Sequence, residues 1–359
     1  MVQRMKRIIA LFDRGSLPAL KLIAAINLLF FLAFALSVVL ATGRAHAETP
    51  ACNGHDMLAP LENSDPALVA KIRAEADKTL NGQGLLWKIE KDGRQPSYLF
   101  GTMHMTDPRV TSLTPEAQKA FDASGTVVIE TTEILDEAKM LASIMAKPEL
   151  MMFTDATTLK SLLSPADAEI VDKALTARGI PPASVAKMKP WMLSAMLALP
   201  ACEIARKAEG APVLDVKLAQ DAQAAGKQLD GLETVADQLE AMASLPMSFH
   251  MKGLVDTLKL GDQMDDVIET MIVLYLKGDT GLFWPLFRAV LPGADDDKQG
   301  YVEFEEKMVT SRNKVMVERA EPILERGSTF IAVGAMHLPG EQGVIELLRK
   351  AGYAVTAAN

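Results

Sequence analysis

Cysteine and histidine are both scarce in this 359-residue chain, which contains two cysteines and five histidines. Cys52 and Cys202 have no CxxC or other metal-ligand spacing, which argues against a zinc module or a redox site. The chain also lacks a Gly-x-Ser-x-Gly elbow, a His-Glu-x-x-His helix, a phosphate-cradling loop and a Gly-x-Gly-x-x-Gly turn. These absences exclude the usual nucleophile-elbow hydrolases, zincins and nucleotide-binding proteins.

Positive charge is also in short supply. The chain has 37 basic and 46 acidic residues, and its formal net charge is −9. The first 47 residues contain six of the basic residues and one acid, so the remainder carries −14. Such an acidic protein is a poor partner for nucleic acid or for an anionic membrane surface.

The amino-terminal 47 residues are typical of a signal peptide. Basic residues come first, an apolar stretch follows at 22–42, and Ala45-His-Ala47 is a small-x-small cleavage site. We therefore predict export to the periplasm or the medium, with cleavage after Ala47. If cleavage failed, the apolar stretch would remain as an amino-terminal membrane anchor. In an oxidising compartment a disulfide between the two cysteines is plausible.

One short pattern occurs twice. Gly101-Thr-Met-His104 and Gly334-Ala-Met-His337 each end an apolar run, and each is followed by a helix and a second strand. Each predicts a strand, a glycine turn and a histidine at the carboxyl end of the strand, where open α/β sheets bind ligands. A single such histidine is usually a loop or core residue. Two in matched settings favour a duplicated half-domain, whose pseudo-twofold pairing brings both histidines to one crevice.

The order of patterns predicts an α/β fold with a mixed sheet flanked by helices. Two strand–GxxH–helix–strand units bracket a mostly helical insert, which is interrupted by one candidate strand at 227–232. The methionines of the insert indicate adaptable core filling or a soft apolar groove. The predicted parts are a signal peptide at 1–47, an amino-terminal helical segment at 48–84, a first α/β half at 85–132, the insert at 133–300 and a second α/β half at 301–359.

His104 and His337 need a third ligand if they hold a metal, and Glu130 is the leading candidate. It ends the apolar strand Thr126-Val-Val-Ile-Glu130, at the same sheet edge. Two imidazoles and one carboxylate leave open positions for water, as in hydrolytic metal sites. Glu130 would then serve as ligand or general base at a single divalent-metal site. The alternative is that Glu130 caps the next helix or pairs with an arginine.

Supporting residues are expected nearby. Arg312 or Asn313 would hold the developing oxyanion, and Glu233 is a further candidate to support the ligands. Because Arg312 and Asn313 lie mid-helix among charges, the alternative for them is a solvated helix face. The remaining candidates, His55 and His250, are interpreted as structural or solvent-facing.

These residues resemble the TraB/PrgY/gumN family, which is related to the Tiki metalloproteases. The resemblance covers roughly residues 85–355, and its most specific stretch leads into the second motif. The resemblance implies that both Gly-x-x-His motifs and a glutamate form the active centre. The matching segments are Trp87-Lys-Ile, Tyr98-Leu-Phe-Gly-Thr-Met-His104, Val127-Val-Ile-Glu130, Lys189-Pro-Trp191, Leu214-Asp215, Gly231-Leu-Glu-Thr234 with Gln238, Arg312-Asn313, and Phe330-Ile-Ala-Val-Gly-Ala-Met-His-Leu-Pro-Gly340.

The function expected from the residues and the resemblance together is metal-dependent hydrolysis of a peptide or protein substrate. The Tiki branch implies Mn²⁺ or Co²⁺ before Zn²⁺ as the ion. The alternative is a non-catalytic envelope protein that binds a peptide, a polysaccharide or a haem-like ligand.

Overall fold

The computed structural model describes residues 50–290 and 298–358. The predicted signal peptide at 1–47 lies outside these residues. Within the described part, no helix combines the length and the apolar character needed to cross a membrane.

The described part contains one mixed six-stranded sheet with the order β4-β3-β5-β2-β1-β6. Neighbouring strands from β4 to β2 are parallel, whereas β1 runs antiparallel to both of its neighbours. The predicted α/β class with a mixed sheet flanked by helices is therefore confirmed. The strands are β1 Leu86–Glu90, β2 Ser97–Thr102, β3 Thr126–Ile129, β4 Gln228–Gly231, β5 Thr329–Gly334 and β6 Ala354–Ala357.

The two strands that lead into the repeated motif are direct neighbours. In the register of β2 and β5, Tyr98 pairs with Phe330 and Thr102 pairs with Gly334. Since parallel strands end at the same edge of a sheet, both histidines leave the sheet on that edge. β3 lies on the other side of β5 and brings Glu130 to the same edge.

Successive residues of these strands point into two separate cores. Phe100, Val127 and Phe330 pack on one face with the helix Pro115–Ala123. On the opposite face Leu99, Val128 and Ile331 pack with the helices Ser311–Leu324 and Val344–Lys350. The first unit therefore returns to β3 across one face and the second returns to β6 across the other. This arrangement places β2 and β5 at a topological switch point, where α/β sheets open a crevice.

Helices fill most of the remaining chain. The helix Leu214–Ala224 packs in the core beside β3, so this part of the predicted insert belongs to the α/β body, together with β4. A separate apolar cluster holds the insert helices together around Leu175, Leu193 and Leu254. The other α-helices are Leu58–Ser64, Pro66–Ala76, Pro108–Thr111, Glu137–Ala146, Pro165–Ala177, Pro190–Leu197, Ala201–Ala208, Val235–Ala243, Met247–Leu260, Gln263–Lys277, Phe283–Val290 and Lys298–Glu305.

The motif glycines differ from the expected turns, because both lie within their strands. A Cβ on Gly101 would lie 2.7 Å from Leu338 Cδ1 and 3.1 Å from the Ala335 Cα atom. Gly101 therefore permits the turn after β5 to approach β2. A Cβ on Gly334 would instead contact the side chains at the sheet edge.

The amino-terminal part of the described chain is joined covalently to the helical part. Cys52 forms a disulfide with Cys202, at the start of the helix Ala201–Ala208. The adjacent Glu203 is fully buried and accepts hydrogen bonds from the backbone N–H and the hydroxyl of Thr106, at 2.7 and 2.8 Å. This helix therefore holds the loop that follows His104.

Candidate active site

His104, Glu130 and His337 meet around Gly334, as the sheet order requires. An ideal Cβ at Gly334 would lie 3.3 Å from Glu130 Oε1, 3.4 Å from His337 Cδ2 and 3.8 Å from His104 Nε2. The His337 Nε2 atom is 3.8 Å from Glu130 Oε1. The absence of a side chain at Gly334 leaves the space in which these three groups converge.

His104 is open to solvent, and its side chain is 61% exposed. Its Nδ1 atom lies 2.7 Å from Oδ2 of the buried Asp215, whose other oxygen accepts a 2.6 Å hydrogen bond from the Thr102 hydroxyl. The negative charge of Asp215 raises the pKa of His104 above its ordinary value. Because Asp215 holds Nδ1, the Nε2 atom is the one presented to the site.

His337 is buried, and its Nδ1 atom lies 2.6 Å from the amide oxygen of Asn313. An amide oxygen only accepts hydrogen bonds, so Nδ1 carries the proton and Nε2 has the free lone pair. Burial lowers the pKa of His337 to about 4, which keeps the ring neutral near pH 7. Asn313 is itself fixed, since its Nδ2 donates to the Gln342 carbonyl at 2.8 Å.

Glu130 is buried but remains ionised. Its Oε1 accepts the Gly334 N–H at 2.7 Å, and its Oε2 accepts from Gln238 Nε2 at 2.9 Å and from Arg312 Nη2 at 2.8 Å. Burial on its own would raise the pKa of Glu130, but His337, His104, Arg312 and the Gly334 N–H lower it to about 2. Since burial keeps His337 neutral, Arg312 is the permanent charge in this set.

Arg312 lies between two buried carboxylates, with its side chain 12% exposed, and does not lie on a solvated helix face. Besides Glu130, it contacts both oxygens of Glu233, with distances from 2.6 to 3.1 Å, and its Nη1 donates to the Met308 carbonyl. Asn313 is only 1% exposed. Both ends of the Asn313 amide are therefore occupied, and most of the N–H groups of Arg312 are too. The alternative for Glu130, pairing with an arginine, is also present in this arrangement.

The donor atoms of the cluster decide whether it can bind a divalent metal. In residues 50–290 and 298–358, no three histidine, cysteine, aspartate or glutamate side chains form a ready metal site. The donor atoms of the predicted set are nevertheless of the chemical types that bind a divalent ion. Both imidazoles have Nδ1 engaged and present Nε2, the usual arrangement of histidine ligands, and Glu130 is ionised; His104 Nε2 releases its proton when an ion binds. The one remaining lone pair of Glu130, on Oε1, suits a hard or borderline ion.

The structure brings the predicted residues His104, Glu130 and His337 together around Gly334, and the sequence prediction gave Asp215 and Gln238 no role. Asp215 stands in the apolar run Val213-Leu214-Asp215-Val216, where an acid requires a partner. That isolation was the available signal. The partner was not identifiable, because His104 is 111 positions away.

The other two histidines within the described residues lie outside this cluster. His55 is exposed, and its backbone N–H donates to Asp266. His250 is buried in the helix Met247–Leu260, and burial lowers its pKa to about 4. The expected structural or solvent-facing roles agree with these positions.

Comparison with known proteins gives a consistent set of relatives. The sequence model of the TraB/PrgY/gumN family matches residues 85–357. Metalloprotease TIKI1 of Danio rerio is 28% identical over 315 residues, which cover 75% of this chain and 62% of that protein. Metalloprotease TIKI1 of Homo sapiens is 26% identical over 316 residues, or 76% and 61% of the two chains. The chain thus spans about three fifths of the length of these relatives. No solved structure matches.

Proposed function

This chain belongs to the TraB/PrgY/gumN family, and we propose that it is an exported, metal-dependent hydrolase that cleaves peptide bonds. The observation that carries the proposal is the convergence of His104, His337 and Glu130 around Gly334. Each imidazole is oriented through Nδ1 by a buried partner. This orientation is expected of metal ligands and has no equivalent purpose in two loop histidines.

His104 Nε2, His337 Nε2 and Glu130 would hold the metal. The chemistry that a divalent ion supplies at such a site is a water of lowered pKa and a polarised carbonyl group. We favour Mn²⁺ or Co²⁺ over Zn²⁺, as the relation to the Tiki branch implies. Glu130 suits the role of ligand better than that of general base, because a base is most effective with a pKa near the working pH.

The neighbouring residues act by positioning. Asp215 and Asn313 fix the rotation of the two rings and the nitrogen that each presents. Arg312 and Gln238 hold Glu130 in its ionised form and in one orientation. This assignment replaces the oxyanion role expected for Arg312 and Asn313, because Asn313 is held at both ends of its amide and Arg312 is bonded to two carboxylates.

Access to the site comes from the His104 side. The His104 side chain is 61% exposed, whereas those of His337 and Glu130 are 6% and 8% exposed. A peptide would therefore approach over His104, and its carbonyl would be placed against the inner pair. The buried surroundings of that pair limit competing solvent.

Export is supported by two independent features. The disulfide between Cys52 and Cys202 belongs to an oxidising compartment. The basic residues, the apolar stretch at 22–42 and the Ala45-His-Ala47 site together have the form of a secretory leader. We place the protein in the periplasm or the medium.

A non-catalytic ligand-binding protein is the second candidate, and one observation favours it. Several large apolar side chains of the helical region are exposed, and they would give a bound ligand apolar contacts. They are Leu141, Met145, Met152, Leu162 and Met196.

Metal analysis of the purified full chain tests the proposal. Protein dialysed against Mn²⁺, Co²⁺ or Zn²⁺ is expected to retain about one ion per chain and to cleave members of a peptide library. His104→Ala and His337→Ala should lose both properties. His55→Ala is the matched control, because His55 is an exposed histidine outside the cluster.

Metal content that is nil, or that is unchanged in both cluster variants, would overturn the metal hypothesis. Peptide binding by the metal-loaded protein without any turnover would favour the non-catalytic candidate.

A further inference from the structure

A cavity of about 360 Å³ lies beside the candidate active site. It is open to solvent on one side and is lined by the helix Phe283–Val290, the turn before that helix and the loop at 339–343 that follows His337. Its volume is within the range of ligand sites, roughly 300–1,000 Å³. The residues that give it its character are Thr280, Phe283, Trp284, Pro285, Met336 and Pro339.

The cavity and the catalytic cluster share a wall. Asn313 lines the cavity, and its amide oxygen holds His337 Nδ1 at 2.6 Å. Met336, which also lines the cavity, directly precedes His337 in the chain. A group bound in the cavity therefore lies on the Nδ1 side of His337, with the Asn313 amide and the His337 ring between it and the point where the three donors converge.

The wall of the cavity is aromatic and rigid. The Trp284 ring stacks with Phe287 and Phe304, with ring centroids 5.8 and 5.6 Å apart. Its indole N–H donates to Glu305 at 3.0 Å, which fixes the ring orientation. A fixed aromatic wall needs no reordering when an apolar group enters, so little conformational entropy is lost on binding.

The charges at the cavity exclude an anionic occupant. Glu75, Glu305 and Glu341 line it together with a single cation, Arg288. Arg288 is already paired with Glu75 at 3.1 Å. An acidic side chain would therefore meet excess negative charge, whereas an apolar side chain would meet the aromatic and proline surfaces.

We propose that this cavity is a substrate pocket for a bulky apolar side chain of the peptide at a position away from the bond that is cleaved, because Asn313 and His337 lie between the cavity and that bond. The proposal rests on the proposed peptide hydrolysis. It assigns the selectivity of the enzyme to Trp284 and to the segment after the second motif. Asn313 both lines the cavity and bonds His337 Nδ1. A side chain in the pocket would therefore act on the orientation of the His337 ring.

Binding and turnover are measured separately to test it. The probes are acetylated and amidated octapeptides of glycine and serine that carry one Phe, Leu, Ala or Asp. Calorimetry with chelator-treated protein gives Kd without catalysis. We expect the Phe peptide to bind at least about tenfold more tightly than the Ala peptide, and the Asp peptide to bind most weakly.

Two variants remove the pocket in different ways. Trp284→Ala deletes its wall, and Thr310→Phe fills it from the opposite side, since Thr310 also lines it. Either change should reduce the preference for Phe over Ala to less than about twofold. Trp191→Ala and Thr157→Phe are the matched controls, because both positions lie in the helical region away from the cavity, and they should keep the preference.

Equal Kd values for the Phe and Ala peptides would overturn the pocket, as would a preference that survives in a folded Thr310→Phe variant. Selective binding without hydrolysis in the metal-loaded protein would support the pocket and contradict the proposed peptide hydrolysis. Hydrolysis without side-chain preference would do the reverse.

Discussion

The two copies of the Gly-x-x-His motif have the same sequence pattern and opposite surroundings. His104 is exposed and its Nδ1 atom faces a carboxylate, whereas His337 is buried and its Nδ1 atom faces an amide. The pKa of His104 is accordingly raised and that of His337 is lowered. A repeated motif therefore fixes where a side chain leaves the sheet, and the partner supplied by another part of the chain fixes its chemistry.

The glycines of the two copies differ in the same way. Gly101 makes room for the packing of Ala335 and Leu338, which is a matter of the fold. Gly334 makes room for the polar side chains of the site. The first motif thus has an exposed histidine and a glycine that is packed against Ala335 and Leu338. The second motif has a buried histidine and a glycine that faces the polar side chains of the site.

The largest expected effect concerns the buried carboxylates beside His337. Arg312→Met leaves Glu130 and Glu233 buried without their cation, and we expect the free energy of unfolding to fall by about 3–5 kcal/mol. Urea denaturation of metal-free protein measures it. Arg319→Met is the control on the same helix, because its pair with Asp237 is exposed and worth under about 1 kcal/mol. If the two variants lost equal free energy of unfolding, the distinction between the buried and the exposed charges would be wrong.

Exchange of the Nδ1 partners is expected to have the next largest effect. Asp215→Asn and Asn313→Ala should each weaken metal binding by about 10–100-fold, because ring orientation and basicity depend on these partners. Competition with a chelator measures the affinity. Asp221→Asn, an exposed carboxylate on the helix of Asp215, should leave it unchanged. An unchanged affinity in both site variants would show that the partners are structural only.

Substitution of the two motif glycines should separate an effect on stability from an effect on metal affinity. Gly101→Ala forces a clash with Leu338 and should cost about 1–3 kcal/mol of stability. Gly334→Ala should cost less stability but should lower metal affinity, because its Cβ would press on Glu130 and His337. Gly253→Ala is the control, since no atom lies within 4 Å of its Cβ position in a helix. Thermal unfolding and metal titration of the three variants test the contrast.

The smallest expected effect concerns the pKa values of the two histidine rings. In metal-free protein, we expect the His104 ring to titrate above its ordinary pKa of 6.5 and the His337 ring to titrate at about 4. Between these values His104 is protonated while His337 is neutral. NMR of the ring protons measures both, and Asp215→Asn should bring the pKa of His104 down. A common value for the two rings would contradict the comparison.

The sequence was sufficient to predict the strands that carry the site and the side chains at their ends. The apolar runs before His104, Glu130 and His337 identified buried parallel strands, and the rule on carboxyl ends identified their common edge. The single strand in the helical region was also predicted, and the structure places it beside β3 as β4.

The partners of those side chains were less predictable. Asp215 and Gln238 lie on helices whose packing depends on long-range contacts, and no local pattern states which strand end they face. The burial of Asn313 and the ion pairs of Arg312 were hidden by their charged neighbours. Their helix follows the π-helical turn Glu306–Thr310, and periodicity gave no indication of that turn.

The Cys52–Cys202 bridge joins residues 150 positions apart, and the interval contains His104 and Glu130. A protease that cuts an exposed point in that interval, such as the neighbourhood of Met145, would produce two pieces that remain one covalent object. The cut would be invisible on a gel run without reductant. In an environment rich in foreign proteases, both halves of the site would stay tethered after the backbone had been severed.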